Sequence, residues 1–583
     1  MSAAFLNVEA SLTGRRWVGL GLEQDRQAEA IAQHTALPRP LCQTLARLGV
    51  PLSEAQSYLD PTLKALLPDP SVLKDMDEAA ARLCEAVRSR EKIAIFADYD
   101  VDGATSAALL ITWLRDLGLP AALYIPDRID EGYGPNVPAM EMLAKDHHLI
   151  ICVDCGTLSH DALAAAKDAD VIVLDHHLGG ETLPPALAVV NPNRQDETGD
   201  LAHLCAAGVV FLTLVAANRL LRADGAPTPD LIDLLDLVAL GTVADVAPLI
   251  GVNRALVVQG LKIMGQRRRI GLTALSDVAR MDTAPTSYHL GYLLGPRINA
   301  GGRVGTPDLG ARLLSTQDAA EAQALSERLD ALNSERREIE EQVRVAALEQ
   351  AEARGLGAPL VWAAGPGWHP GVVGIVASRL KEASNRPAVV IGLEDGIGKG
   401  SARSVSGIDL GAQVQKLAME GLLIKGGGHK MAAGLMVQED KLEPAMARLA
   451  ELMERQGAGQ LGPRDLKLDG VMMAGAATVD LVEQLEKAGP YGAGAAAPRF
   501  AFPDQQIGFA KEVGQGHLKL SFSDGVGPRI DAICFNAAEN GLMAVLMGHK
   551  GARFHLAGRV EINSWQGRQS VQLRLEDAAP STG

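Results

Sequence analysis

The sequence predicts an α/β protein: a doubly wound parallel-sheet domain, a long connecting helix, a second α/β domain and a β-rich C-terminal domain. Three observations point there. Short apolar runs at 93–96, 149–153 and 171–174 are rich in Ile and Val and largely free of charge, as strands buried on both faces require. A helical pattern follows each run, for example 104–117 ending at Gly118, or 162–167 with Ser159 upstream as N-cap. Clusters of acidic and imidazole residues stand just after the runs, reading DYDVDG (98–103), VDCG (153–156) and LDHH (174–177), and a fourth, GTVAD (241–245), follows a helix-like stretch. Strand, acidic loop and helix in repetition read as a doubly wound sheet, whose strand carboxyl ends face one crevice.

In chain order, residues 1–77 form an irregular, Pro-containing lead-in with the cluster Arg15, Arg16, Trp17, and the first α/β domain spans 78–305. A connecting segment, 306–355, is dominated by a helical pattern that begins at Ser315, with Ser315 and Asp318 at capping-box spacing. Leu325, Leu329, Leu332, Ile339 and Val343 share one face of it, and the pattern runs to Gly355. The heptad breaks at Arg336, which favours a rigid strut over a coiled-coil seam. The second α/β domain, 356–458, holds GWHPGVVGIVASRL (367–380), an apolar strand at 388–391, GKGSARSVSGIDL (398–410) and GGGHKMAAG (426–434). In 459–583, residues 517–522 alternate before an Asp524-Gly525 turn, and Val571, Leu573 and Leu575 alternate after a turn at 564–568. A small barrel accounts for that pattern.

Composition narrows the function. With 583 residues the chain has room for about three to four domains. No charge-free apolar stretch is long enough for a bilayer and no secretory layout opens the chain, so a cytoplasmic protein without membrane contact is expected. Six cysteines make no disulfide framework, and Cys152 and Cys155 read as buried thiols beside Asp154. A net charge of −16 excludes a general basic surface for coating nucleic acid but leaves room for a local basic groove.

The clusters carry the chemistry. If DYDVDG stays extended, Asp98, Asp100 and Asp102 point the same way, a crowding that cations must neutralise. Alone, such a loop is a solvated turn or a calcium site. Asp154 can bridge two ions, His176 supplies the nitrogen that suits manganese or another transition metal, and Asp245 completes the oxygen set. Two ions about 3.5 to 4 Å apart activate water and stabilise an in-line displacement at phosphorus. Further on, Arg297, Arg303, Ser401, Arg403 and Ser404 offer forked donors and hydroxyls to phosphates, and the backbone of Gly427 and Gly428, beside His429, can approach a phosphate closely. Arg128 is a candidate for the same channel, whereas His369 reads as substrate-facing or structural.

DYDVDG, VDCG, LDHH and LVALGTVADVAPL (237–249), in this order, resemble the motifs of the DHH phosphoesterase superfamily. PDRIDEGYG (126–134), GPRINAGGR (295–303), HPGVVGIVASRL, SARS, GGGHKMAAG and SWQGRQSVQL (564–573) are similar, within it, to the RecJ family of bacterial single-strand-specific 5′ to 3′ exonucleases. The resemblance extends over nearly the whole chain. It implies a DHH domain, a DHH-associated substrate-binding domain and an OB-like barrel. It also implies two divalent ions, manganese or magnesium: Asp100 and Asp102 each hold one, Asp154 bridges both, His176 and Asp245 complete the second ion's shell, and Asp98 supports the first ion. His177 would contact the scissile phosphate, protonate the leaving oxygen, or orient its neighbours. Trp565 would stack on a base or pack against the lead-in.

The implied activity is release of 5′-mononucleotides from single-stranded DNA with a free 5′ end, in mismatch, base-excision and recombinational repair. The enzyme would act as a monomer beside a helicase and a single-strand-binding protein, since no GxxxxGK[ST] loop is present to drive unwinding. Two alternatives remain, another DHH phosphoesterase of oligoribonuclease type and a non-catalytic Cdc45-like binding module. One departure stands out: GPYGAGAAAPRF (489–500) has Ala495 and Ala496 where the family usually shows Asn and Pro, which puts the local turn in doubt.

Overall fold

The computed structural model describes residues 4–127, 131–458, 464–565 and 567–581. Two compact units result. One comprises Met1–Leu67, Pro248–Val258 and Pro463–Gly583, the other Pro68–Ala247 and Gln259–Gly462.

The second unit begins with a five-stranded all-parallel sheet in the order Ala121–Tyr124, Ile93–Ala97, Leu149–Val153, Asp170–Leu174, Ala188–Val190. Every residue of Ile93–Ala97 and Leu149–Val153 is buried, which is why the chain spells them as unbroken apolar runs. By chain order the strands lie 2-1-3-4-5. The direction of winding therefore reverses between the first and third strands, where α/β sheets open a crevice at their carboxyl ends.

Helix Ala206–Ala223 is long and apolar enough to cross a membrane by length and composition. It is a core helix here, 72% buried and packed on helices Met76–Ser89 and Val101–Asp116. The helix Met76–Ser89 also crosses the boundary expected at 77–78.

The long helix spans Ala319–Arg354, about 54 Å at 1.5 Å per residue. Its cap is Asp318, whose carboxylate accepts from the Ala320 and Glu321 N–H groups, while Ser315 closes the preceding helix Leu309–Ser315. Leu325, Leu329, Leu332 and Val343 are buried on one face. Arg336, at the heptad break, is buried too, with Nη2 on Asn333 and an ion pair to Glu340.

Beyond it lies a mixed sheet in the order Lys425–His429, Ala432–Gln438, Ile397–Arg403, Ala388–Glu394, Val361–Pro366, parallel only in its last pair. Helix Pro370–Ser384 packs on it through Val372, Val373, Val376 and Leu380.

In the first unit, strands Phe500–Val513, His517–Ser523, Ile530–Cys534, Arg568–Pro580 and Arg553–Trp565 pair in sequence and close through Phe500–Val513 against Arg553–Trp565. The result is a barrel. The lead-in is not irregular: helices Leu22–His34 and Arg39–Arg47 pack Ile31, Leu41 and Leu45 into one core with Phe500, Phe502 and Phe522. Trp17 is fully buried and donates from Nε1 to Asp577 at 2.9 Å. The turn at 492–495 forms despite its alanines, with Gly492 and Ala495 exchanging backbone hydrogen bonds.

Candidate metal centre

Asp98, Asp154 and Asp175 each follow the last residue of a strand, and the strands are neighbours. Backbone bonds tie these loop starts together, Asp98 N to Val153 O at 3.4 Å and Asp154 N to Leu174 O at 3.0 Å. Asp154 sits at φ +60°, a sparsely populated conformation that surrounding contacts must hold and that aims its carboxylate.

The DYDVDG loop does not stay extended. Asp100 becomes the N-cap of helix Val101–Asp116, its Oδ1 accepting from Asp102 N at 2.9 Å and Gly103 N at 3.1 Å. Asp102 lies in the first turn, with its two oxygens accepting from Ala206 N at 2.6 Å and Ala207 N at 2.9 Å, at the positive end of helix Ala206–Ala223. Only glycine fits at 103, where a Cβ would come within 2.3 Å of Asp98 O. Helix initiation thus parts Asp102 from Asp98 and Asp100.

Two sets of ligand atoms result, each within 4.8 Å: Asp98, Asp100 and Asp154, then Asp102, His176 and Asp245. They abut where Asp154 Oδ1 lies 3.2 Å from His176 Nε2, itself 3.7 Å from Asp102 Oδ2. Asp245 is the C-cap of helix Leu235–Ala244, and its Oδ2 is 3.9 Å from His176 Nδ1. Gly241 lets that helix in, since a Cβ there would stand 2.5 Å from Thr105 Oγ1 and 3.0 Å from Asp102 Oδ1. A third set joins Asp154, His176 and His177.

Burial, and then the neighbouring charges of Asp100, Asp102, Asp98 and Asp245, push the Asp154 carboxyl well above the usual range. Burial with the charges of Asp102 and Asp100 raises Asp245 to about 9. Burial likewise raises Asp102, against the pull of His176 and the two helix N–H groups. A carboxylate cluster this crowded is stable when cations neutralise it. Asp154 Oδ1 is buried and accepts no hydrogen bond. Five carboxylates, one imidazole and an oxygen without a hydrogen bond fit divalent cations such as manganese or magnesium.

Sequence reasoning passed over the groups that hold these ligands. Asp175, fully buried, accepts from the N–H groups of His176 and His177 and from His177 Nδ1 at 2.8 Å, and Oδ2 takes Thr157 N. Burial opposes its ionisation, but the His177 bond and charge hold its pKa below the ordinary carboxylate range. Burial alone would lower His177, yet Asp175, joined by Asp245 and Asp98, raises it to about 9. Asn191 Nδ2 donates to His177 O at 2.8 Å and Asn193 Nδ2 to His176 O at 2.6 Å. Tyr133 OH reaches Asp154 O and the His177 ring, and Asn299 Oδ1 accepts from Val101 N at 3.1 Å. Asp175, Tyr133 and Asn299 lay inside quoted motifs, but nothing local marked Asn191 or Asn193.

The expected substrate contacts divide. Arg297 is buried, with Nε on Asp330 of the long helix at 2.8 Å and Nη1 on Leu293 O. Ser404 is buried and donates to Ile408 O, and His369 caps helix Pro370–Ser384 by accepting from Gly371 N. Arg303 Nη1 donates to Gly371 O at 3.0 Å. Ser401 and Arg403 face that helix at Gly374, where a Cβ would stand 3.3 Å from Ser401 Oγ and 3.0 Å from Arg403 Nη2. Ser401 pairs with Gly434, and Gly434 with Gly427, and the space over both glycines is open. His429 shares this face two residues on, while Gly428 packs tightly on Ala432 and Ala433. Arg128 and the side chain of Trp565 lie outside the described residues.

A crevice at the switch point of a parallel sheet, lined by paired acidic and imidazole ligand sets, defines a metal-dependent phosphoesterase of DHH type. Residues 92–242 match the DHH family N-terminal domain, 357–455 the DHHA1 domain and 468–577 the RecJ OB domain. The single-stranded-DNA-specific exonuclease RecJ of Dickeya dadantii is 39% identical over 94% of this chain and 97% of its own length. The same protein of Escherichia coli is 36% identical over 96% and 98%. The crystal structure of RecJ with Mn2+ from Thermus thermophilus superposes with a TM-score of 0.81 at 32% identity, covering 97% of this chain and 80% of that one. A Mg2+ complex from the same source gives 0.74 at 30%. The chain belongs to the RecJ family of exonucleases.

Proposed function

We propose that this chain hydrolyses single-stranded DNA from a free 5′ end, releasing 5′-mononucleotides. The observation that carries the reading is the pair of abutting ligand sets at the switch point, with the Asp154 carboxylate between them. In this reading Asp98 and Asp100 would hold one ion, Asp102, His176 and Asp245 would hold the other, and Asp154 would serve both. Two bound divalent ions supply an activated water and charge stabilisation for in-line displacement.

The chain's own groups do the rest. Asp175 fixes the His177 ring, from which the scissile phosphate is contacted or the leaving oxygen protonated. Ser401 and Arg403 take the terminal phosphate over the open Gly427–Gly434 floor, while Arg303 ties the adjoining helix at Gly371 O, Ser404 closes the turn at Ile408 O and Asp330 braces Arg297. The barrel binds single-stranded DNA in the manner of an OB fold. The intact donor set counts against a non-catalytic module. Without a phosphate loop of its own the enzyme works on strands that a helicase and a single-strand-binding protein present, as a cytoplasmic monomer in recombination and repair.

The test is one assay on single strands labelled separately at each end, with manganese, magnesium or excess chelator. The expected result is stepwise shortening from the 5′ end with manganese, weaker or comparable activity with magnesium, and none in chelator. Shortening from the 3′ end, or full activity in chelator, overturns the reading.

A further inference from the structure

Among the described residues of the second unit, Tyr133, Tyr288 and Tyr292 are the large aromatics that stand exposed, at 55%, 58% and 70%. Tyr133 touches the metal centre directly. The other two form a stack with ring centroids 5.3 Å apart and planes 23° from parallel. In a chain with 4% aromatic residues, a solvent-facing stack requires a reason.

Its position supplies one. Tyr292 lies in, and Tyr288 just before, a π-helical turn, His289–Leu294, the kind of helical irregularity that recurs at functional sites. That turn packs on the end of helix Leu235–Ala244. A Cβ on Gly291 would meet Val243 Cγ1 at 3.5 Å, and one on Gly295 would meet Ala244 Cβ at 3.3 Å. The residue after Ala244 is Asp245, of the second ligand set, and the next, Val246, is an exposed apolar side chain.

From there the chain continues through helix Gly295–Val304, on which Asn299 holds the metal loop at Val101 N and Arg303 reaches Gly371 O. Gly371 opens the helix on which Ser401 and Arg403 converge. One run of about 20 Å, residues 288–303, thus orders the stacked tyrosines, the metal centre and the proposed phosphate wall.

We infer that the Tyr288–Tyr292 stack is a platform for bases on the 3′ side of the scissile phosphate, holding the single strand as its 5′ end enters the centre. This rests on the function proposed above, because the polarity follows from a 5′ phosphate at Ser401 and Arg403. An aromatic ring accepts any base by its face, so the platform grips without reading sequence, and it needs an unpaired base. Tyr288 and Tyr292 are positioning residues that touch the substrate away from the reacting atoms.

The test uses the full chain with manganese, reading the first mononucleotide released from strands that carry one abasic residue at successive positions from the 5′ end. In the wild type, an abasic residue at the position reaching the stack raises KM about tenfold, within the range of one lost base–aromatic contact, with kcat within about twofold. The Tyr288→Ala/Tyr292→Ala chain raises KM by a similar factor on intact strands and is indifferent to an abasic residue at that position, whereas Tyr288→Phe/Tyr292→Phe behaves as wild type. A flat abasic scan in the wild type, or the same scan profile in the alanine chain, overturns the platform even if the alanine chain folds poorly, because the wild-type scan stands by itself. A wild type that does not cleave single strands at all overturns the proposed function instead.

Discussion

The two sheets of the second unit meet their ligands in opposite ways. In the parallel sheet the strands are buried on both faces, and neighbours hold the site's side chains: Asp102 by two helix N–H groups, His177 by Asp175, the imidazole backbone by Asn191 and Asn193. In the mixed sheet the corresponding face is a floor of Gly427 and Gly434 with open space above it. The first arrangement keeps crowded carboxylates in register at a fixed spacing; the second leaves main chain open to close approach, as the proposed phosphate contact requires. Substitutions in the first should therefore disturb chemistry or folding, and in the second access alone.

Asp154→Ala is the severest way to press this contrast. Losing the carboxylate between the two ligand sets should reduce kcat roughly a thousandfold or more, with circular dichroism and strand binding retained. A folded variant with near wild-type turnover would remove the two-ion reading.

Next comes Asp175→Asn, which keeps the volume but weakens the bonds that hold His177 and the 176–177 backbone. Activity or metal affinity should fall about 10- to 100-fold, seen in a manganese titration of initial rates. An unchanged titration would mean that Asp175 only packs.

Gly241→Ala probes how closed the first region is. The added methyl would press on Thr105 and Asp102, so urea unfolding should show a loss of about 1–3 kcal/mol.

The smallest effect on stability belongs to the open floor. A Cβ at Gly434 meets nothing within 4 Å, so Gly434→Ala should leave the unfolding midpoint unchanged, while KM for 5′-phosphorylated strands rises several-fold. Arg403→Ala should likewise weaken use of 5′-phosphate ends more than 5′-hydroxyl ends, and flatten the salt dependence of binding by about one phosphate contact. Equal losses on both kinds of end would detach the pocket from this wall.

The sequence by itself determined the strands, the acidic loops behind them and the capacity to bind divalent cations. Burial on both faces writes a strand as a continuous apolar run, and a carboxylate cluster is recognisable wherever it is spelled. The expected strands at 93–96, 149–153 and 171–174 differ from the observed ones by a residue at one end or not at all. The long helix was legible in its period and its Gly355 stop, which are local signals, but not in its start, since Ser315 closes the preceding helix and Asp318 caps this one.

Partnership was left to the tertiary structure. Asp98 and Asp102 are four residues apart, yet one joins Asp154 and the other His176 and Asp245, because a helix begins between them and the strands order as 2-1-3-4-5. Arg297 reads as a phosphate ligand in the sequence and only the fold shows its Nε held by Asp330, while the lead-in reads as irregular until the barrel core covers its helices. The stacked tyrosines lie in an unremarkable stretch of sequence. Local patterns come from neighbours within about one helical turn, whereas ligand sets, ion pairs and exposed platforms depend on contacts between residues tens to hundreds of positions apart, which no window of sequence contains.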